Sequence, residues 1–189
     1  WAAGAGYPFG LLWEGDSSLD ELRARAPGGR VVDWNASRIR ATADFQFGRG
    51  AADALLDGTV SYVISKNTGK IRNVIVDREH VLSLRAEDGL FTLKAAGARR
   101  LHKTFSVPRL RVVVDEDAAP FLRQGKNVFA KFVTEADPEI RPGDEALVVT
   151  PGDELVAVAQ VSMNRREMLA FKRGLAARVR EGVPPSASV

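Results

Sequence analysis

The most informative segment of the sequence is RVVVDEDAAPFLRQGKNVFAKFV, which runs from Arg111 to Val133. Its run of valines, within LRVVVDE, predicts a β-strand. DAAPFLRQG then predicts a short helix, with Asp117 as its N-terminal cap and Gly125 just beyond its last turn. KNVFAKFV predicts a second strand, although it contains two lysines. The stretch is therefore a predicted strand–helix–strand unit whose charged positions raise the question of a binding surface.

Alternation along KNVFAKFV assigns its side chains to two faces. The face predicted to enter the core, together with Phe121, holds Val128, Ala130 and Phe132. The opposite face holds Asn127, Phe129, Lys131 and Val133. On that face two interpretations stay open. Either Phe129 stacks a base while Lys131 holds a phosphate, or the aliphatic stem of Lys131 covers a half-buried Phe129 and only its charge reaches water.

The sequence beyond this stretch predicts a small barrel. TEADPEIRPGD is a predicted loop, NRREMLAFKRG a short helical segment, and EALVVT, ELVAVAQVSM and LAARVREGV are predicted strands. Five strands with one helix after Pro108 are typical of a closed or half-open β-barrel. We therefore predict a barrel domain over residues 108–184 and a frayed tail over residues 185–189.

The sequence before Pro108 predicts a mixed domain over residues 1–107. SSLDELRARAPGG is a predicted short helix, and SRIRATADFQFGRGAADALLDG is predicted to be helical, with Ser37 as N-cap and a break at Gly48 and Gly50. VSYVIS and IRNVIV flank the turn KNTGK, and HVLSLR and LFTL flank AEDG, so two hairpins follow. KAAGARRLHKTF predicts a helix whose Leu101 and Phe105 face the core. The predicted fold class is thus α+β, followed by the small barrel.

Composition limits the chemistry that the chain can perform. The 189 residues include no cysteine and only two histidines, His80 and His102, so we predict no disulfide, no metal site and no cofactor. No apolar run reaches the length of a membrane helix, and the absence of cysteine suits an intracellular, cytoplasmic protein. Residues 60–110 hold ten lysines and arginines against four acidic residues. A solvated basic face and an anionic partner explain that excess equally well.

We predict that the chain has no catalytic residues of its own. There is no P-loop, and FGRGAAD follows no predicted strand, so it is not a dinucleotide-binding motif. Asp115 and Asp117 begin the predicted helix and are explained as cap and dipole partners. No serine or aspartate relay is evident for either histidine.

Two sets of motifs carry a family resemblance. RVVVDEDAAPFLRQGKNVFAKFV, ADPEIRPGDEALVV and EMLAFKRGLAARVREGV resemble the archaeal form of the PUA domain, an RNA-binding pseudo-barrel. ADFQFGRGAADALL, SKNTGKIRNV, EDGLFTL and GARRL resemble the domain that precedes PUA in archaeosine tRNA-guanine transglycosylase. The resemblance covers about residues 40–183. The large barrel domain of that enzyme, with its aspartate nucleophile and Cys/His zinc site, has no counterpart here.

The resemblance implies a non-catalytic RNA-binding protein that recognises tRNA or rRNA during RNA modification. One alternative is an RNA-binding subunit of a split archaeosine transglycosylase, whose partner is the catalytic subunit. Another is an adaptor in ribosome assembly or translation initiation, since the fold alone does not fix the pathway.

The resemblance also places an RNA groove along the helix, the glycine turn and the next strand, which involves Gly125, Lys126 and Asn127, together with Arg173 near the last strand. Physically, Gly125 permits close approach of a ligand, Lys126 supplies charge and Asn127 can read a base edge or a sugar. The alternative is a plain Schellman helix end with an exposed lysine. Lys131 is a further candidate.

Other basic positions are weaker candidates. Lys66, Lys70 and Arg72 cluster at the first hairpin, and Arg99, Arg100 and Lys103 follow on the predicted helix. Such clusters bind phosphate without sequence choice, or they are simply solvated. Arg141 either pairs with Asp137 or Asp144 or reaches a phosphate, and the structural role is the one expected.

Overall fold

The computed structural model describes residues 34–185. The predicted helix SSLDELRARAPGG and residues 186–189 of the predicted tail lie outside this range. The first part of the described chain comprises α1 (Trp34–Phe47), α2 (Ala51–Leu55), β1 (Val60–Ile64), β2 (Ile71–Val76), β3 (Glu79–Leu84), β4 (Phe91–Leu93) and α3 (Ala95–Thr104). None of the helices between residues 34 and 185 combines the length and the apolar character needed to cross a membrane.

Helix α1 forms where apolar residues recur at helical spacing. Ile39, Ala43 and Phe47 recur at helical intervals and are all buried along one side of α1. Gly48 and Gly50 separate α1 from α2 with φ values of 98° and 88°, which confirms the predicted break. The predicted N-cap at Ser37 is wrong, because no glycine or proline interrupts the three residues before it and α1 already includes Trp34.

The two predicted hairpins form one antiparallel sheet in the order β1-β2-β3-β4. The turn between β1 and β2 contains Gly69 at a φ of 64°, and the turn between β3 and β4 contains Gly89 at 73°, as the turn chemistry requires. Helix α3 lies close against β3 at Gly97, where a Cβ atom would come within 2.6 Å of the Val81 carbonyl oxygen. A glycine is therefore needed to bring this helix onto the sheet.

The second part of the chain forms a six-stranded sheet. Its elements are β5 (Arg111–Val114), α4 (Ala119–Arg123), β6 (Val128–Phe129), β7 (Val133–Ala136), β8 (Glu145–Val149), β9 (Leu155–Val161), α5 (Arg165–Ala170) and β10 (Leu175–Gly182). The strand order is β6-β10-β9-β8-β5-β7, and only β5 and β8 are parallel. The two edge strands, β6 and β7, are joined by the short 3-10 helix Ala130–Phe132. The sheet therefore curls until its edges nearly meet, which confirms the predicted pseudo-barrel.

KNVFAKFV is not the continuous strand that we predicted. It forms only the two-residue strand β6 before the 3-10 turn, and Val133 already begins β7. The turn resets the alternation, so Val133 is buried instead of facing solvent. TEA of the predicted loop TEADPEIRPGD belongs to β7, which is why six strands appear where five were predicted.

Two expectations about the preceding helix are also wrong. Phe121, predicted to be in the core, is 60% exposed, because α4 is so short that Leu122 and Ala119 alone provide its buried side. Asp117 lies inside a 3-10 helix, Glu116–Ala118, and neither it nor Asp115 makes a side-chain capping bond.

The two sheets share one apolar core. Leu147 and Val149 of β8, Leu155 and Val158 of β9, and Val183 beyond β10 join the same buried cluster as the residues of α1, α3 and the four-stranded sheet. A second cluster fills the inside of the curled sheet beneath α4 and α5. The shared cluster fixes the position of the two sheets relative to each other.

Candidate nucleic-acid interface

The Gly125 turn is a complete Schellman helix end. Gly125 has a φ of 84°, its N–H donates to the Leu122 carbonyl at 2.9 Å, and the Lys126 N–H donates to the Phe121 carbonyl at 3.1 Å. A Cβ atom on Gly125 would meet nothing within 4 Å. Helix termination thus accounts for the glycine, and the same turn leaves Lys126 exposed on an open surface.

Asn127 has one structural role and one open group. Its Oδ1 accepts a hydrogen bond from the Val179 N–H at 3.1 Å, at the point where the register between β9 and β10 shifts. The side-chain carbonyl therefore stabilises an irregularity in β10. The amide nitrogen of the same side chain bonds no residue in the described range, so a donor remains for a base or a sugar.

Lys131 and Arg173 are brought together by the pairing of β6 with β10. Their neighbours are directly bonded, since the Ala130 N–H donates to the Gly174 carbonyl at 3.0 Å. The Lys131 ammonium lies 4.5 Å from the ring centroid of Phe132, a cation–π contact that neither interpretation of Lys131 anticipated. Phe129 stays 46% exposed.

We call the exposed residues on α4, within and on either side of β6, and just before β10 the barrel-edge face. Its members are the exposed residues Phe121, Lys126, Phe129, Lys131, Phe171, Lys172 and Arg173. Within residues 34–185, none of its four cations forms an ion pair with a carboxylate. The sequence analysis had named Phe129 as one possible stacking residue, but it missed the other two rings, because Phe121 was assigned to the core and Phe171 was not considered.

The second predicted group, Lys66, Lys70 and Arg72, lies exposed around the turn between β1 and β2. We call it the hairpin face. Lys70 and Arg72 line a cleft of about 440 Å³ whose opposite wall includes Arg38 of α1. Lys66 does not line that cleft. Helical spacing could have placed Arg38 and Thr42 on one side of α1, but only the fold brings the hairpin next to them.

The remaining basic candidates divide by their contacts. Arg100 bonds the Asp57 carbonyl oxygen and pairs with Asp77 at 3.2 Å, so it is structural. Hydrogen bonds from the Thr59 N–H and from Arg100 lower the pKa of Asp77, while burial acts in the opposite direction. Arg99 and Lys103 are exposed.

Arg141 has structural contacts, as expected, but with different partners. Its side chain lies 3.7 Å from Glu139 and donates to the Pro138 and Ile140 carbonyls at 3.2 Å. The Asp144 carboxylate instead accepts the Arg141 backbone N–H at 2.8 Å. The prediction of pairing with Asp137 or Asp144 through the guanidinium is therefore wrong.

Both histidines have polar neighbours that the sequence did not reveal. His80 Nε2 lies 3.0 Å from Ser83 Oγ and 3.1 Å from the Leu82 carbonyl oxygen, and Ser83 donates to Asn73 at 3.2 Å. No carboxylate takes part in this network, so the arrangement bonds neighbouring strands to each other. His102 Nε2 lies 3.2 Å from Asp153 Oδ2, beside a buried arginine.

That buried arginine, Arg111, connects the two parts of the chain. It is 1% exposed, and its guanidinium donates to both Asp153 oxygens at 3.2 and 3.3 Å and to the carbonyls of His102 and Arg109. Although burial raises it, the pKa of Asp153 is lowered overall by Arg111 and His102. This set of bonds ties the end of α3 to β5 and the β8–β9 turn.

Glu145 of β8 makes a second connection. It is 1% exposed, and its Oε2 accepts the Leu93 N–H of β4 at 3.2 Å. Burial raises the pKa of Glu145, while Leu93 and the nearby Arg180 act in the opposite direction. Neither Arg111 nor Glu145 is conspicuous in the sequence, since each is the first residue of an otherwise apolar strand. Together they fix the frame on which the two exposed basic faces are held.

Comparison with known proteins assigns both parts. Residues 37–108 match the patch-forming domain C2 of tRNA-guanine transglycosylase, and residues 110–183 match the PUA domain. Over 177 residues, 94% of the chain, the sequence is 47% identical to a tRNA-guanine(15) transglycosylase of Thermococcus onnurineus. Over 145 residues, 77% of the chain, it is 52% identical to the protein of that name in Thermococcus kodakarensis. The chain spans 29% and 25% of the length of these two relatives.

Solved structures support the fold. A hypothetical protein from Pyrococcus horikoshii matches 80% of this chain and 92% of its own length with a TM-score of 0.63 at 23% identity. A conserved PUA domain protein from Thermoplasma acidophilum matches 80% of this chain and 91% of its own length with a TM-score of 0.53 at 22% identity. The chain therefore contains a C2 domain of the tRNA-guanine transglycosylase type followed by a PUA domain, and it resembles the C-terminal region of archaeal tRNA-guanine(15) transglycosylases.

Proposed function

We propose that this chain binds structured RNA, with tRNA as its first candidate, and serves RNA modification in the cytoplasm without catalytic residues of its own. The observation that carries the proposal is the barrel-edge face. This face contains four cations without a carboxylate partner in the described range and three exposed phenylalanines. Cations hold backbone phosphates, while exposed rings stack bases that are not paired.

The individual residues would contact different parts of the RNA. Lys126, Lys131 and Arg173 contact phosphates, and the free amide of Asn127 donates to a sugar or a base edge. Gly125 leaves room for the backbone of the RNA, since nothing lies within 4 Å of its missing side chain. The hairpin face, with Lys66, Lys70 and Arg72, provides a second phosphate contact on the C2 domain. Two such faces on one rigid frame suit a folded RNA better than a short single strand.

The relatives support tRNA as the first candidate ligand. Proteins named tRNA-guanine(15) transglycosylase share both domains at 47% and 52% identity. The aligned part accounts for less than a third of their length, so their activity belongs to this chain only as a proposal.

Charge reversal on the barrel-edge face tests the function. We expect Lys126→Glu and Arg173→Glu each to weaken tRNA binding at least about tenfold at low salt, because each loses a charge-assisted contact. Arg141→Glu is the matched control, with the same change in charge on the turn before β8. Fluorescence anisotropy with labelled tRNA and rRNA fragments gives the affinities. A protein without salt-sensitive affinity for any RNA would contradict the proposal and favour the adaptor role.

A second candidate is the non-catalytic subunit of a split transglycosylase. One observation favours it: the chain aligns with only 25–29% of the length of two enzymes that share both of its domains. The test mixes this chain with the polypeptide of the same organism that corresponds to the remaining part of those enzymes. Co-purification, together with guanine exchange in tRNA only after mixing, would support a subunit. Full activity of the catalytic polypeptide alone would exclude it.

A further inference from the structure

A two-chambered cleft opens between α1 and the turns of the two hairpins in the C2 domain. The inner chamber has a volume of about 150 Å³. The outer chamber, of about 440 Å³, shares Arg38, Lys70, Ile71 and Leu84 with the inner one, so the two are continuous. Ile39 and Phe91 complete the apolar lining of the inner chamber, and Thr42 adds a hydroxyl.

The inner chamber has the size and lining that suit a single flat ring. A volume of about 150 Å³ holds one benzene ring where the lining is apolar. Here Asn35, Arg38, Thr42 and Lys70 also line the chamber, so its surface is partly polar. Ile39, Ile71 and Leu84 offer carbon surface, and the Thr42 hydroxyl can donate or accept one hydrogen bond. A six-membered heterocycle with polar edges matches this combination better than an aliphatic chain does.

The mouth of the cleft is positively charged. Arg38, Lys70 and Arg72 are exposed, and over residues 34–185 none of them pairs with a carboxylate. Arg85, which also lines the outer chamber, is instead neutralised by Asp88 at 2.8 Å. Three uncompensated cations around a chamber too large for a ring alone suit the phosphates on either side of a ribose.

We propose that this cleft binds one unpaired nucleotide of an RNA chain, with the base in the inner chamber and its flanking phosphates against Arg38, Lys70 and Arg72. The inference rests on the proposed RNA-binding function and names a site within it. An unpaired nucleotide is required because a base in a duplex must be unstacked before it can enter a pocket, which costs free energy. The cleft would therefore select bulges and loops, while the remaining basic surface would bind duplex backbone.

The test compares two RNA hairpins that differ only in one bulged nucleotide. We expect the wild-type protein to bind the bulged hairpin about tenfold more tightly than the fully paired one. Thr42→Trp fills the inner chamber and should abolish this preference, so that the bulged and the paired hairpin bind with equal affinity. Ala41→Trp is the control, because residue 41 is exposed on the same helix and does not line the cleft. Thermal unfolding verifies that both variants fold.

A crosslinking measurement makes the result independent of that variant. With 4-thiouridine at the bulge, the wild-type crosslink should map to peptides of α1 or the β1–β2 turn. Equal binding of both hairpins, or crosslinks only elsewhere, would overturn the inference and leave the proposed function standing. Failure of both RNAs to bind would overturn the two together. Free uridine monophosphate binding as tightly as the bulged hairpin would exclude an RNA chain as the required ligand.

Discussion

Arg111 and Asp153 form a bidentate ion pair beneath the surface, at 3.2 and 3.3 Å, although 42 residues separate them in the chain. The same guanidinium bonds the His102 carbonyl at the end of α3. One side chain thus links the last helix of the C2 domain with the first strand and a turn of the PUA domain. The position of one basic face relative to the other depends on this link.

Removing Arg111 should destabilise the whole described unit. We expect Arg111→Met to lower the free energy of unfolding by about 3 kcal/mol, because Asp153 and two carbonyls lose their donor. Urea denaturation followed by circular dichroism measures this. Asp153→Ala added to Arg111→Met should recover part of the loss, since the unpaired charge is then gone. Arg141→Ala, which removes an exposed pair, should stay within about 0.5 kcal/mol of the wild type, and an equal loss in both variants would contradict the special role of Arg111.

Glu145 should make stability fall as pH rises. Its pKa is raised above the usual 4.5 by burial, so between pH 4.5 and the raised pKa the unfolded chain has lost a proton that the folded chain keeps. The stabilising contribution is complete below pH 4.5 and is lost as pH rises through the folded pKa. Glu145→Gln cannot titrate, so its stability relative to the wild type should increase across that window. Denaturation between about pH 4 and pH 8 measures the difference.

Glu135 provides a control of opposite sign. Hydrogen bonds from Arg165 and from the Ala136 N–H lower its pKa below the usual 4.5. The wild type should therefore gain stability relative to Glu135→Gln above pH 4.5 and lose it as pH falls through the lowered pKa. The same trend with pH in both variants would contradict the assignment for Glu145.

Gly125 should contribute to stability because its backbone adopts a positive φ, and not because a larger side chain would clash there. Gly125→Ala should cost about 1 kcal/mol, because an alanine at a φ of 84° is strained even though no atom blocks its side chain. Gly125→Asn should cost less, since asparagine tolerates this conformation. Gly152→Ala, at a glycine without positive φ, is the control and should be nearly neutral. Thermal unfolding compares the three variants, and a large loss in Gly152→Ala alone would refute this explanation.

The exposed rings of the barrel-edge face should contribute to RNA affinity and not to the free energy of unfolding. Phe129→Ala and Phe121→Ala should each weaken binding to RNA with a single-stranded end by about 1–3 kcal/mol, the range for base stacking on an aromatic side chain. Their unfolding free energies should change little. Phe91→Ala is the opposite control, because Phe91 is fully buried and its loss should cost about 3–5 kcal/mol of stability. Unchanged RNA affinity in both surface variants would remove the stacking role.

The dependence of RNA affinity on salt concentration should report the number of phosphate contacts. Lys126→Gln and Arg173→Gln should each reduce the slope of log affinity against log salt concentration by about 1, because each removes one phosphate contact. Arg141→Gln should leave the slope unchanged. Titrations at several salt concentrations give the slopes, and a slope that no barrel-edge variant alters would place the RNA elsewhere on the protein.

The sequence predicted most elements because their signals are local. Valine runs, glycine turns and the buried stripe of Ile39, Ala43 and Phe47 follow from backbone preference and periodicity. The 3-10 turn after Phe129 was missed, because KNVFAKFV has strand-forming residues throughout and only the meeting of the two sheet edges bends it. Because of the same bend, Val133 does not follow the alternation predicted for a continuous strand.

The contacts between distant segments could not be predicted. Arg38 looks like an ordinary surface residue until the β1–β2 turn folds beside α1. Arg111 reads as a polar residue at the start of a strand, and its partner Asp153 lies in what reads as a plain turn. Asn127 was correctly noted as a polar group on the turn, but only the structure shows that β10 already uses its carbonyl oxygen. Such pairings depend on tertiary structure, for which a single sequence carries no local signal.

The apolar cluster common to both sheets limits how these domains can be exchanged in evolution. Leu147, Val149 and Leu155 belong to the PUA domain but are covered by side chains of the C2 domain. A recombination event that transferred the PUA domain alone to another gene would leave these residues facing water. A protein that carries this PUA domain without the C2 domain would therefore have to supply another apolar surface to cover them.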